Sequence, residues 1–276
     1  MDSSGISSII FLLAIVILQS FWAASAREMK NMHHHHSSSE SKPDLNDPEL
    51  QIFFRVDDLK LGGKLPIYFP IKDLSSAPPL LSREEADSIP FSSAHLPKLL
   101  ERFSISDGSP QAKAMETTLN HCEFEPMKGE SKFCATSLES LLDSTRSVFG
   151  SKSEFKVATT IHLNKNSTSL LQNYTIVENP IEIPAPRIVG CHPLPYPYSV
   201  FYCHSQESDN KLFKVSLMGE NGWRVEALGI CHMDTSQWDS DHVAFLVLNT
   251  QPGKSPVCHF FPADNLVWFP SQYETM

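Results

Sequence analysis

The stretch VGCHPLPYPYSVFYCH, residues 189–204, carries two Cys-His pairs on either side of a proline-rich turn. Its flanks are β-branched or aromatic, and Pro195-Tyr196-Pro197-Tyr198 interrupts them, so it reads as a β-hairpin. Successive side chains on a strand point to opposite faces. Each adjacent pair therefore sends its sulfur one way and its imidazole the other. A hairpin centred on Tyr198 puts His192 opposite His204, with Cβ atoms about 5 Å apart, within reach of one shared metal ion. In that register Cys191 and Cys203 are diagonal neighbours, and they are expected to pair with Cys231 and Cys258.

Outward from the hairpin, the pair recurs at Cys231-His232 and Cys258-His259, with 10, 26 and 25 residues separating the four successive pairs. The chain has 12 histidines. Four lie in a run at His33 to His36, and four of the remaining eight directly follow a cysteine, which chance does not explain. His192, His204, His232 and His259 are thus candidate metal ligands, with the cysteines cross-linking behind them. Four imidazoles without a thiolate suit copper, with zinc or nickel as lesser options. Free cysteines would favour a mixed sulfur and nitrogen zinc site instead. The plain alternative is that the histidines only pack beside disulfides.

The cysteines are six: Cys122, Cys134, Cys191, Cys203, Cys231 and Cys258. All follow an N-terminal segment whose apolar run, Ile9 to Leu18, is short for a bilayer and suited to a signal peptide. Ala24-Ser25-Ala26 supplies a cleavage site, so residues 1–26 read as a signal peptide, although no Lys or Arg precedes the apolar run and an uncleaved anchor is the alternative. Behind such a signal, an even cysteine count implies three disulfides, with 15 possible connectivities. Two sequons, at Asn166 and Asn173, are candidate glycosylation sites. The formal net charge of −10 argues against nucleic acid and against an anionic membrane surface. No later stretch is long enough to span a membrane, so no stable insertion is expected after signal removal.

Residues 27–51 read as a flexible polar leader, in which the histidine run is a solvated tract or a weak metal binder. Strand candidates follow at Gln51 to Val56 and Lys64 to Pro70. Three helices come next. Ser92-Ser93 precedes Leu96, Leu99, Leu100 and Phe103; Ser109-Pro110 opens a second helix with Ala112, Met115 and Leu119; Thr136 and Glu139 form a capping box for a third. The third helix is expected to bury Leu138, Leu141, Leu142, Val148 and Phe149 and to stop at Gly150. Cys122 and Cys134 fall in the connection between the second and third helices and are expected to pair. From Phe155 onward, short apolar runs predict strands: Lys156 to Leu163, Tyr174 to Val177, Arg187 to Cys191, Val200 to Cys203, Leu212 to Met218, Val243 to Leu248 and Asn265 to Phe269. The fold class is α+β: a helical N-terminal part, then an antiparallel β-rich part with disulfides and a histidine metal site.

The four pairs and their gaps resemble the plant BURP domain. Phe53-Phe54 with Asp58-Leu59 resembles its start, Gly129 to Leu142 (GESKFCATSLESLL) its centre, and His232 to Phe245 (HMDTSQWDSDHVAF) with Pro256 to Phe261 (PVCHFF) its C-terminal half. The resemblance covers residues 52–270. The short leader without long repeats is similar to the unknown-seed-protein-like branch. The resemblance implies a secretory-pathway protein of seed or vegetative development, bound for the protein storage vacuole or the apoplast. The partner is unassigned, with a peptide or a cell-wall component as the candidates.

Some members of the family are copper-dependent cyclases that cross-link Tyr or Trp in a core peptide, often in their own leader. By position, His192, His204, His232 and His259 would be their copper ligands. Residues 27–50 contain no Trp or Tyr. The expected function is therefore a non-enzymatic secretory protein with a copper site, with cyclisation of a peptide in trans as the alternative. No catalytic residue is assigned; Asp234, Trp238, Asp239, Asp241 and His242 cluster after the third pair and are candidates to line a pocket.

Overall fold

A computed structural model describes residues 45, 47–70, 77–164 and 171–271. The expected signal segment, most of the leader with its histidine run, and Asn166 lie outside the described residues.

Two antiparallel sheets organise the chain. The first has the order β1-β12-β11-β10-β6-β2, formed by Phe53–Phe54, Val257–Phe260, Arg224–His232, Asn210–Gly219, Leu171–Ile176 and Lys64–Tyr68. β5 (Ile161–His162) adds to β11, and β7 (Ile181–Ile183) to β10. The second has the order β3-β9-β8-β13-β4, formed by Glu130–Ala135, Val200–Gln206, Val189–Leu194, Leu266–Pro270 and Phe155–Ala158. Ile188, Leu212, Leu228, Ile230, Phe261 and Val267 form one cluster that draws on both sheets, so those faces pack on each other.

Five α-helices complete the described fold: α1 (Arg83–Asp87), α2 (Leu96–Arg102), α3 (Pro110–Glu123), α4 (Leu138–Phe149) and α5 (Val243–Leu248). The order corrects the expectation of a helical N-terminal part. β1 and β2 precede the helices and pair with strands from the C-terminal half, Phe54 with Cys258 and Leu65 with Tyr174. Helices α2 and α3 bury Leu99, Leu100, Met115 and Leu119 against Leu194, Tyr196, Val200 and Tyr202 of the β8-β9 hairpin. Truncating a side chain such as Leu119 to Ala in a core of this kind costs about 2–5 kcal/mol.

Several local readings hold. Ser109 caps α3 by accepting from the Ala112 amide, with Pro110 in the first turn. Gly150 ends α4 at a positive φ of 97°. Others shift. The box that opens α4 is Ser137 with Ser140, one residue beyond Thr136 and Glu139, because Thr136 remains outside the helix. The helix then turns so that Leu141 and Thr145 are buried and Leu138 is exposed. Cys122 lies in the last turn of α3 and Cys134 on β3, rather than in one loop, yet they are joined as expected. Val243–Leu248 is a helix, not a strand. An unbroken run of six apolar residues does not distinguish the two. Here His242 caps the start by accepting from the Ala244 amide, and Asn249 stops the run in a left-handed conformation.

Candidate metal centre

The hairpin of β8 and β9 pairs Cys191 with Cys203, Gly190 with His204 and His192 with Tyr202. Its centre is Pro197, one residue before the expected Tyr198. This shift decides the disulfides. Cys191 is bonded to Cys203 and Cys231 to Cys258, which corrects the expected pairing between hairpins. The β11-β12 ladder repeats the pattern, with Cys231 opposite Cys258 and His259 opposite Ile230. In both ladders the cysteines face each other directly and the histidines are diagonal.

Alternation of side chains then places sulfur and imidazole on opposite faces. Cys231 and Cys258 pack outward with Phe54 and Phe260, and Cys191 and Cys203 with Leu141 and Trp268 beneath α4. His232 shares its face with Leu228 and Ile230; His192 and His204 share theirs with Gly190 and its partner Val267. These are the faces that meet in the shared cluster. All four histidines therefore point between the sheets.

They meet as two pairs. His192 Nε2 and His204 Nε2 are 3.3 Å apart. The rings of His232 and His259 stack with centroids at 5.6 Å. Phe261 lies between the pairs, 5.8 Å from His192 and 5.0 Å from His259. A Cβ on Gly190 would sit 3.2 Å from the Phe261 ring, so glycine is what admits that ring here. Among the described residues no group of three or more His, Cys, Asp or Glu is gathered to hold a metal ion. The four expected ligands thus come as one pair from each sheet, with Phe261 in contact with both pairs and with His204 close enough to lower the pKa values of His232 and His259.

The second nitrogen of each ring is tied down. His192 Nδ1 meets Asn265 Oδ1, and Asn265 is oriented by its own amide donating to Asp264 at 2.7 Å. His232 Nδ1 meets Asn210 Oδ1 at 2.7 Å, while the Asn210 amide donates to the Gln206 and Ser208 carbonyls. His204 Nδ1 meets the Glu130 carboxylate at 3.0 Å, and His259 Nδ1 makes a longer contact of 3.4 Å to the Phe260 carbonyl. Oxygen acceptors at Nδ1 fix the proton there and leave Nε2 as the lone-pair donor, the arrangement that orients histidine toward a metal. Burial is the main force holding His192 and His232 well below the usual histidine range and His259 at about 4, assisted by neighbouring histidines. They remain neutral, as ligands must. Burial pushes Glu130 up, but its hydrogen bonds, first the one from His204, outweigh it and leave the carboxyl below its ordinary value. With all six cysteines in disulfides, no thiolate is left to bind a metal, and the four imidazoles are a set that suits copper.

Sequence reasoning missed Asn265 and Asn210, which lie outside any quoted motif, and Glu130, which lies within the quoted segment Gly129 to Leu142 but was given no role. It also missed Tyr202, stacked on His204 at 5.3 Å, and His121, whose ring lies 4.3 Å from Tyr202. His121 directly precedes Cys122, a reversed pair that was a readable signal. Burial, then Lys132 and His204, lowers its pKa to about 4. Asn173 is exposed on β6, and its amide donates to Glu220 at 2.9 Å. Of the expected pocket cluster, Asp234 and Trp238 line a cleft of about 340 Å³ with Lys128, Glu130, Gln206 and Glu207. Asp239, Asp241 and His242 do not line it. The cleft adjoins both histidine pairs: Glu130 holds His204, and Trp238 lies 4.9 Å from His232.

The BURP domain profile matches residues 52–270. The chain belongs to the BURP domain family. BURP proteins of plants are similar to it over most of its length. BURP domain-containing protein BNM2A of Brassica napus is 51% identical over 229 residues, covering 82% of this chain and 81% of that protein. BURP domain protein USPL1 of Arabidopsis thaliana is 48% identical, covering 82% of each; this agrees with the resemblance to the unknown-seed-protein-like branch. BURP domain protein RD22 of the same plant is 38% identical, covering 81% of this chain but 57% of that longer protein. In this BURP chain the four Cys-His pairs lie on two disulfide-stapled strand pairs, β8-β9 and β11-β12, facing each other across the sheets.

Proposed function

We propose that this BURP protein is a non-enzymatic secretory-pathway protein of seed development, storage-vacuole or cell-wall biology, whose histidine pairs hold copper. The observation that carries the copper reading is the set of four Nδ1 contacts to oxygen, with His192 Nε2 and His204 Nε2 brought to 3.3 Å. Two Nε2 lone pairs at that distance repel unless a proton or a cation lies between them. His192, His204, His232 and His259 would be the ligands, Asn265, Asn210 and Glu130 would hold their orientation, and the disulfides would fix the strands that carry them.

The test is metal analysis of secreted protein together with single replacements. His192→Ala, His204→Ala, His232→Ala and His259→Ala should each lower copper content sharply, and His95→Ala and His162→Ala should not. Equal loss in both sets would overturn the assignment. The same material tests secretion, since cleavage after Ala26 should leave Arg27 as the first residue.

The cleft beside the histidines favours a second reading, a copper-dependent oxidative cyclase acting in trans. Copper with dioxygen would supply one-electron oxidation of a Tyr or Trp side chain of a peptide. The chain's own part would be to hold that side chain beside Trp238 and His232. Trp268 is buried, whereas Trp238 is half-buried at the cleft. Protein incubated with copper and oxygen should show no cross-link within itself by mass spectrometry. A peptide lacking two hydrogens, formed from an added Tyr- or Trp-containing substrate, would decide for the enzyme.

A further inference from the structure

We infer that the cleft lined by Lys128, Glu130, Gln206, Glu207, Asp234 and Trp238 binds a peptide through a cationic side chain, arginine or lysine, held beside the Trp238 ring. The inference goes beyond copper binding and does not depend on it.

The cleft sits at one end of the gap between the sheets. Glu130 and Gln206 are directly opposed on β3 and β9, at the ends of those strands. Asp234 and Trp238 follow the end of β11. Its lining carries three carboxylates, of Glu130, Glu207 and Asp234, against the single ammonium of Lys128, with Gln206, Ser208 and Gln237 as neutral polar side chains. Gln206 Oε1 is buried and has no hydrogen-bond partner among the described residues. An unmet buried acceptor is unfavourable, so a ligand donor met by a turn of the Gln206 side chain would be favoured there. Asp234 accepts from the Ser236 amide at 2.9 Å, which positions its carboxylate. Glu130 is the back wall, already engaged by His204 and the Met127 amide.

The ligand chemistry follows from that lining. An acceptor-rich wall beside an indole face suits a guanidinium or ammonium, which donates to the oxygens and lies over the ring. The chain's charge of −10 would speed the approach of such a ligand at low salt. The same wall disfavours an acidic polysaccharide. Bound here, a peptide would place the residue next to its cation close to Trp238, whose ring contacts His232.

The experiment is isothermal titration of the full secreted chain with three probes. These are a capped tetrapeptide containing Arg and Tyr, the same peptide with Glu for Arg, and an oligogalacturonate. The Arg peptide should bind at least tenfold more tightly than the other two, and added salt should weaken it. Glu207→Gln combined with Asp234→Asn should abolish most of that preference, and Gln206→Leu should weaken it separately. Each variant is checked for an unchanged circular-dichroism melt and copper content, which also separates failure here from failure of the copper reading. Equal binding of the Arg and Glu peptides, unchanged binding by the double variant, or preference for oligogalacturonate would each overturn the inference.

Discussion

His192 and His204 bring their Nε2 atoms to 3.3 Å although they are not opposite each other in the β8-β9 ladder. The diagonal arises because Cys191 and Cys203 occupy the directly opposed position. Diagonal neighbours start about 7–8 Å apart at the backbone, a span that two imidazoles close by leaning together. The disulfide and the histidine contact are thus two consequences of one register.

The residues behind the ligands should matter almost as much as the ligands. Asn265→Leu and Asn210→Leu remove the acceptors at His192 Nδ1 and His232 Nδ1. Each should weaken copper binding by about 10–100-fold while leaving all four histidines in place. Competition with a copper chelator measures this. Unchanged affinity in both variants would show that the Nδ1 contacts are incidental to metal binding.

Denatured but unreduced protein should show no alkylatable thiol, and its digest should contain the links Cys122–Cys134, Cys191–Cys203 and Cys231–Cys258. A link between the first and second hairpins would contradict the register. Replacing Cys122 and Cys134 together by Ser should cost about 3 kcal/mol in the chain-entropy view of a short loop. Urea unfolding of the double variant gives the value.

Acid should destabilise the metal-free protein in a defined window. Burial holds His121 and His259 at about 4 in the fold, against about 6.5 in an unfolded chain. Between those values the unfolded chain binds more protons. The stability is fully present above about 6.5 and falls as pH drops toward 4, by on the order of 3 kcal/mol for each histidine. His192 and His232 shift in the same direction. Urea midpoints at pH 7, 5.5 and 4.5 should fall in that order, and a midpoint that rises on acidification would contradict the burial argument.

Tyr196 and Tyr198 are fully buried beside Phe103, and neither hydroxyl has a hydrogen-bond partner among the described residues. Removing a buried hydroxyl that bonds to nothing relieves a desolvation cost. Tyr196→Phe and Tyr198→Phe should therefore leave stability unchanged or raise it by about 1 kcal/mol, whereas Tyr196→Ala should cost about 3–5 kcal/mol. Thermal melts decide; a loss of more than 1 kcal/mol in either Phe variant would reveal a buried partner.

The sequence by itself determined the four Cys-His pairs, the family they belong to, and the alternation that separates sulfur from imidazole, because a strand's two-residue period is a local property. It also determined the Ser109 cap and the Gly150 stop, which involve only neighbours along the chain. Register was not legible. A turn centred on Pro197 instead of Tyr198 differs by one residue, yet it changes which cysteines bond. The nature of Val243–Leu248 was equally open, since an apolar run takes its conformation from its caps and its packing. Only the tertiary structure decided that the two stapled strand pairs face each other across the sheets, that Phe261 contacts a histidine of each, and that Asn265, Asn210 and Glu130 meet the Nδ1 atoms of His192, His232 and His204. Those residues are 73, 22 and 74 positions from the histidines they hold, and contacts at such separations are fixed by sheet packing, which no local pattern encodes.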